Sequence, residues 1–189
     1  MFTIFRFSRV FRMRAFCLCL ITLLGSTWAV SETSKLAGTH WETVAQKHEL
    51  RPTLLYALAL AESGVERKPG MISPWPWVIR APDTRGYYDS KEEALKALPW
   101  FQARYGNMID IGMGQISVRW NGHRVNSPEQ LMDPETNLNV MAQILREALN
   151  STDDQVLAIG RYYTWSDEAK ARRYGRRVLG IEKGLQSTQ

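Results

Sequence analysis

The sequence predicts a mostly α-helical single domain with a small irregular or β-like lobe. Two observations indicate this fold class. Apolar residues recur at helical spacing in several segments, and most of these segments begin at residues that favour helix starts. A stretch rich in proline and aromatic residues, 69–88, separates the helices and would supply the lobe. No internal repeat, low-complexity tract or linker divides residues 30–189, which suffice for one compact core.

Helix starts are marked by residues that cap or initiate helices. Pro52 fits the first helical position of a strongly apolar segment, and Ser90 with Glu93 has the spacing of a capping box. Thr152 with Gln155 is a similar signal. The extended pieces 75–80 and 85–89 of the lobe are expected to pair as a hairpin. Together the signals predict helices over about 40–49, 52–63, 91–105, 134–149, 155–163 and from 166 onward.

Residues 1–29 have the pattern of a secretory signal peptide. Four arginines precede the apolar run 15–24, and a small residue, Ala29, offers a cleavage point. The run is shorter than the roughly 20 residues that span a bilayer. We therefore expect export to the periplasm, with no stable membrane span after cleavage. An uncleaved anchor is the alternative interpretation.

Composition excludes several classes of function. Four of the 24 basic residues lie in the predicted signal peptide, so the remainder carries 20 basic and 19 acidic residues and no nucleic-acid partner is expected. Cys17 and Cys19 also lie in that segment, so the rest predicts neither a disulfide nor thiolate chemistry. His40, His48 and His123 lack metal-ligand spacing, so no metal site is expected.

Glu62 is the residue that most strongly suggests chemistry. It closes the apolar second helix, with Leu55 and Leu58 seven and four residues earlier on the same face. Apolar neighbours and the negative end of the helix dipole both raise the pKa of a carboxyl. A carboxyl that keeps its proton near neutral pH can act as a general acid. The alternative is a solvated glutamate at a helix end.

Three further motifs follow the Glu62-Ser63 pair along the chain. They are Gly-Met-Gly-Gln at 112–115, Asp133-Pro134 with Asn137, and the segment 158–163 that contains Tyr162. In this order the four motifs resemble the soluble-type lytic transglycosylase (SLT) domain family over about residues 40–180. The resemblance implies a lysozyme-like fold and cleavage of the glycan strands of peptidoglycan without a cofactor.

The resemblance also assigns the reaction to a single carboxyl. Glu62 would protonate the oxygen that links N-acetylmuramic acid to N-acetylglucosamine. The resulting carboxylate would then help the C6 hydroxyl attack the anomeric carbon, which gives a 1,6-anhydro product and needs no second carboxylate. Two alternatives stay open: a hydrolytic muramidase in which Asp110 or another acid positions water, and a catalytically silent glycan-binding or scaffold protein.

Several residues are predicted to bind the sugar. Gln115 has donors and acceptors that suit an N-acetyl group or a hydroxyl, and Gly112 would allow either close approach of a sugar or a plain turn. Tyr162 matches the family's cleft tyrosine, which bonds near the catalytic carboxyl. Trp75 and Trp77 offer flat faces for sugar rings. The full predicted set is Ser63, Gly112, Met113, Gln115, Tyr162, Trp75 and Trp77.

The chain also departs from the family pattern. Gly-Met-Gly-Gln replaces the usual Gly-Leu-Met-Gln, and Tyr163 stands where asparagine is common. The long stretch between Glu62 and Gln115 contains Trp-Pro-Trp at 75–77, which resembles one branch of the family. The glycan strands are the expected partner. Because members of the family are often tied to conjugation, secretion or pilus assembly, such an apparatus is a second candidate partner.

Overall fold

The computed structural model of the protein describes residues 35–187. The signal peptide predicted for 1–29 lies outside the described residues. The helices are α1 His40–Lys47, α2 Pro52–Ser63, α3 Lys91–Tyr105, α4 Val118–Asn121, α5 Pro134–Leu149, α6 Gln155–Arg161 and α7 Glu168–Ser187. The strands are β1 Gly64–Lys68, β2 Met71–Pro74, β3 Val78–Arg80, β4 Arg85–Tyr87, β5 Asp110–Ile111 and β6 Ile116–Ser117. Short 3₁₀ helices cover Gly122–Arg124 and Pro128–Met132. The prediction of a mostly α-helical fold with a small β lobe is confirmed.

Helix α2 is the central helix of the core. Its Leu54, Leu55 and Leu58 are buried, and Met141 and Leu145 from the apolar stripe of α5 belong to the same core cluster. Full burial of one such side chain stabilises a fold by about 1.5–3 kcal/mol. The core therefore holds α2 firmly, and with it the position of Glu62 in its last turn.

The lobe consists of two small antiparallel sheets. The predicted hairpin forms between β3 and β4, and its sheet continues in the order β4-β3-β5-β6. In that sheet Arg80 on β3 stands opposite Asp110 on β5. A second hairpin, β1–β2, follows α2 directly and was not predicted. Its strands lack the alternation of buried and exposed residues that marks a strand in a sequence, since nearly all of β1 is exposed.

Helix boundaries or caps differ from the prediction in α1, α6 and α7, and α6 ends two residues before its predicted end. Asp154 caps α6 in place of Thr152, and the Asp167 side chain accepts from the backbone three residues on in α7, which begins after the predicted Ser166. An aspartate in each place supplies an anionic acceptor for a helix N-terminus, which a hydroxyl does not. Helix α1 ends two residues early because Glu49 adopts a positive φ of 53°.

Helix α7 packs antiparallel to α2 and beside α6. Gly175 permits the close approach to α6, since a Cβ there would lie 2.0 Å from the Val156 carbonyl oxygen. Far along α7, the buried Glu182 accepts hydrogen bonds from Arg51 at 2.8 and 2.9 Å and from Thr53 at 2.8 Å. These bonds fix α7 to the start of α2. Within residues 35–187, no helix has the length and apolar character needed to cross a membrane.

Candidate active site

Glu62 lies half-buried at the end of α2, and its carboxyl accepts a hydrogen bond from the Tyr174 hydroxyl of α7. Burial away from water raises the pKa of Glu62 to about 7. The Tyr174 hydrogen bond and the charge of Arg80 act in the opposite direction, whereas the charge of Asp110 raises the pKa further. A carboxyl with this pKa is close to half protonated at neutral pH, so it can both donate and accept a proton.

Arg80 and Asp110 form an ion pair beside this carboxyl. The Nη2 and Nε atoms of Arg80 lie 2.9 and 3.3 Å from the same Asp110 oxygen. The pairing follows from the sheet register, which sets the two residues opposite each other on β3 and β5. Asp110, the second acid proposed from the sequence, therefore has its carboxylate engaged by a guanidinium.

The glycine-spaced motif forms a tight turn that the protein itself fills. Gly112 has a φ of 78°, and a Cβ at this position would lie 2.1 Å from the Asn137 amide nitrogen. The space over Gly112 thus holds an asparagine, which supports the plain-turn interpretation over close approach of a sugar. Gln115, itself at a φ of 46°, donates from its side chain to the Gly112 carbonyl at 2.9 Å and helps to close the turn.

Buried polar bonds tie this turn to α5 and α2. Asn137 donates to the carbonyls of Ile111 and Leu131 at 2.9 Å and accepts from the turn's backbone at 2.9 Å. Ser63 donates from its hydroxyl to the Met113 carbonyl at 2.8 Å. The side chains of Ser63 and Met113 are themselves buried. These two predicted substrate-binding residues therefore hold the end of α2 against the turn and leave little surface for a sugar.

Two tyrosines, Tyr162 and Tyr174, lie where the sequence predicted only Tyr162 near the catalytic carboxyl. The Tyr162 hydroxyl donates to the Gly114 carbonyl at 2.7 Å and braces the turn, whereas Tyr174 bonds to Glu62. Tyr163, at the position where asparagine is common, stacks on Tyr174 with ring centroids 5.2 Å apart. Sequence reasoning missed Tyr174. Its signal was its place on the apolar stripe of α7, four residues before the buried Val178.

Trp75 and Trp77 are half-buried and packed by neighbouring groups. Their rings meet edge to face at 5.8 Å, the Trp75 indole donates to the Tyr88 carbonyl, and the Arg67 guanidinium lies 4.0 Å from the Trp75 ring centroid. The buried Trp77 indole N–H has no hydrogen-bond partner within the part of the chain that the structure describes. Sugar binding by these two rings stays a prediction.

An open cavity is lined by Arg80 and Asp110, whose charges act on the pKa of Glu62, but not by Glu62 itself. Its volume of about 450 Å³ is in the usual range for small-molecule sites. Tyr163 lines it too and stacks on the tyrosine bonded to Glu62. Arg119 and the exposed Trp120 also line the cavity. A second cavity, of about 400 Å³, is lined by Arg124, Asp133 and other polar residues and contains no predicted site residue.

A helical domain that has one half-buried glutamate with a raised pKa, near an open cavity, has the arrangement of a glycan-cleaving enzyme of lysozyme type. The model of the family described as "Transglycosylase SLT domain" matches residues 39–170, well over half of the chain. The chain therefore belongs to the SLT family, whose members are lytic transglycosylases of peptidoglycan. This confirms the predicted family and its lysozyme-like fold. Comparisons with curated proteins and with solved structures return no match.

The family match ends before the residue that bonds to Glu62. It stops at residue 170, near the start of α7, and Tyr174 lies four residues further on. Tyr174 thus joins the candidate site by its contact with the carboxyl and by the packing of α7 on α2. The arrangement differs at this point from the single cleft tyrosine, Tyr162, that the sequence motifs indicated.

Proposed function

We propose that the protein is a peptidoglycan lytic transglycosylase that cleaves the bond between N-acetylmuramic acid and N-acetylglucosamine and leaves 1,6-anhydro ends. One observation carries the proposal: a member of the SLT family holds a carboxyl with a pKa of about 7, Glu62, and two charged residues that act on that pKa, Arg80 and Asp110, line an open cavity. Membership of the family supports peptidoglycan as the substrate, and the raised pKa of Glu62 supports a catalytic role for this residue.

In this reaction Glu62 acts twice. Its protonated form gives the proton to the glycosidic oxygen as that bond breaks, and the carboxylate left behind takes the proton of the C6 hydroxyl as its oxygen bonds to the anomeric carbon. The proton count closes, with no water consumed. A pKa near 7 suits both steps, because neither protonation state is strongly disfavoured. The Tyr174 hydrogen bond stabilises the carboxylate between the two steps.

The arrangement of Asp110 favours this scheme over hydrolysis. A hydrolytic muramidase needs a second carboxylate that is free to activate water or to attack the sugar. The Asp110 carboxylate instead accepts two bonds from Arg80 within the sheet. Of these two acids, Glu62 is then the one left to carry both proton transfers.

The test is digestion of purified peptidoglycan by the wild-type protein and by the Glu62→Gln variant, with the soluble products read by mass spectrometry. We expect anhydro-ended muropeptides from the wild type and none from the variant. Reducing ends in place of anhydro ends would identify a hydrolase. Binding to the wall without any soluble product from either protein would identify a catalytically silent scaffold.

We propose in addition that residues 1–29 direct export to the periplasm, where peptidoglycan lies. The support is their basic and apolar pattern alone. A conjugation, secretion or pilus apparatus would then be the partner whose assembly needs a local opening in the wall. Cell fractionation of the full chain tests the location, and co-purification from the periplasm tests the partner.

A further inference from the structure

The cavity that Arg80 and Asp110 line also carries a cation that no acidic group of the described chain neutralises. Two arginines line it, but Arg80 is engaged by Asp110. Arg119 is exposed and has no carboxylate within salt-bridge distance among residues 35–187. Its guanidinium lies 4.8 Å from the ring centroid of Trp120. The cavity wall therefore has one excess positive charge, and that charge is open to a ligand.

Trp120 is the most exposed large apolar side chain reported for the described residues, at 68 %. The indole lines the cavity with most of its apolar area open to solvent, so a ligand in the cavity could cover that area. With the arginine held against it, the pair presents a flat apolar face and a guanidinium fork to the same space. Guanidinium groups recognise carboxylates through two parallel hydrogen bonds.

We propose that Arg119 and Trp120 form a binding site for the carboxylate-bearing peptide stems of the glycan strand. This inference rests on the proposed function, because it names the part of peptidoglycan that the cavity takes. The sugar backbone of the strand is uncharged where its lactyl groups are joined to peptides by amide bonds. The negative charge that a free arginine can recognise is then on the peptide carboxylates. Arg119 accordingly makes the enzyme prefer strands that still carry their stems.

A second arginine–tryptophan pair on the same protein gives a matched comparison. The Arg161 guanidinium lies 5.1 Å from the ring centroid of Trp165, which is 62 % exposed. Arg161 does not line the cavity, and its side chain donates to the Ser151 carbonyl and hydroxyl at 3.0 and 2.7 Å. Replacing Arg161 removes the same charge from the same kind of pair outside the cavity.

The experiment measures equilibrium binding of soluble, uncross-linked glycan strands to protein carrying Glu62→Gln, which keeps the strand intact. Strands are used with their stem carboxylates free, or converted to amides by carbodiimide and ammonia. We expect the Arg119→Gln change to weaken binding of free-carboxylate strands about three- to tenfold and to leave amidated strands unaffected. Arg161→Gln should leave both affinities unchanged.

The proposal is overturned if Arg119→Gln weakens binding of both strand types equally, or if the protein binds both equally well before the change. Trp120→Ala separates the contribution of the indole from that of the arginine. Loss of the apolar face should weaken the binding of both strand types. Binding is read without turnover, so these results stand apart from the product analysis. Absence of anhydro products would overturn the proposed reaction and leave the stem site to be judged on affinity.

Discussion

Tyr174 and Glu62 meet at one end of the α2–α7 pair, and the bonds of Glu182 to Arg51 and Thr53 close the other end. At a rise of about 1.5 Å per residue, Thr53 to Glu62 and Glu182 to Tyr174 span about 13 and 12 Å. The two contacts are therefore at matching heights on antiparallel helices. We expect the placement of the tyrosine on the carboxyl to depend on the contacts of the buried Glu182, two to three turns away.

We expect Tyr174→Phe to move the basic limb of the pH–activity profile to higher pH. The hydroxyl stabilises the ionised form of Glu62 and so lowers its pKa, and its loss lets the pKa rise further above its present value of about 7. The measurement is the pH dependence of kcat/KM on soluble strands. Tyr162→Phe is the control, because that hydroxyl bonds to Gly114 and should leave the limb in place.

Glu62→Gln should make the protein more stable at alkaline pH. Folding raises the pKa of Glu62 from 4.5 to about 7, so the folded state holds this proton more tightly than the unfolded state does. The contribution to stability is full below about pH 4.5 and is lost as pH rises to about 7. A neutral amide avoids that loss, which is worth up to about 3 kcal/mol.

The measurement for this variant is the free energy of unfolding in urea at pH 4 and at pH 8. We expect the wild type and Glu62→Gln to agree at pH 4, where the carboxyl is protonated in both states. A variant that is no more stable than the wild type at pH 8 would contradict the raised pKa.

Arg51→Ala should cost about 2–4 kcal/mol of unfolding free energy, because it leaves the buried Glu182 carboxylate without its arginine. Removal of Lys170, which pairs with Asp167 at the surface just before the same helix, should cost much less, because water screens that pair. Beyond stability, Arg51→Ala should shift the basic limb of the activity profile in the direction of Tyr174→Phe. An unchanged pH profile would show that Tyr174 keeps its place without this pair.

Gly112→Ala should destabilise the protein by about 4 kcal/mol or more. The added Cβ meets the Asn137 amide, whose three buried hydrogen bonds hold the turn, and the φ of 78° is itself unfavourable for alanine. Gly70→Ala is the control: its φ is 75° but nothing lies within 4 Å, so about 1–2 kcal/mol is expected. Urea unfolding midpoints compare the two, and equal losses would contradict the role given to Asn137.

Local signals predicted much of the fold. The apolar periodicity of α2 and α5, the Ser90 cap and the β3–β4 hairpin depend on residues close in sequence, and each forms as expected. The raised pKa of Glu62 was predicted for the same reason, because its apolar helical neighbours lie within two turns. Before α6, two polar residues, Thr152 and Asp154, both fit the position of a helix cap. The sequence therefore led to the wrong one, Thr152.

Contacts between distant residues could not be read in this way. Tyr174 and Glu62 are 112 positions apart, and their contact depends on how α7 packs. The Arg80–Asp110 pair needs the register of β3 against β5, and the filling of the Gly112 turn needs Asn137 from α5. The exposure of Trp120 at the cavity is likewise a property of the folded chain that local sequence does not show.

Helix α7 adjusts the pKa of Glu62 from a segment of the chain separate from the rest of the site. It contributes the tyrosine that tunes Glu62 and the glutamate that anchors it, while the turn and the sheet beside the carboxyl come from earlier segments. Grafting a different final helix onto the same catalytic body would therefore retune the working pH without rebuilding the cleft. A fragment ended at residue 170, where the family match stops, would lose that control together with the packing of α7 on α2.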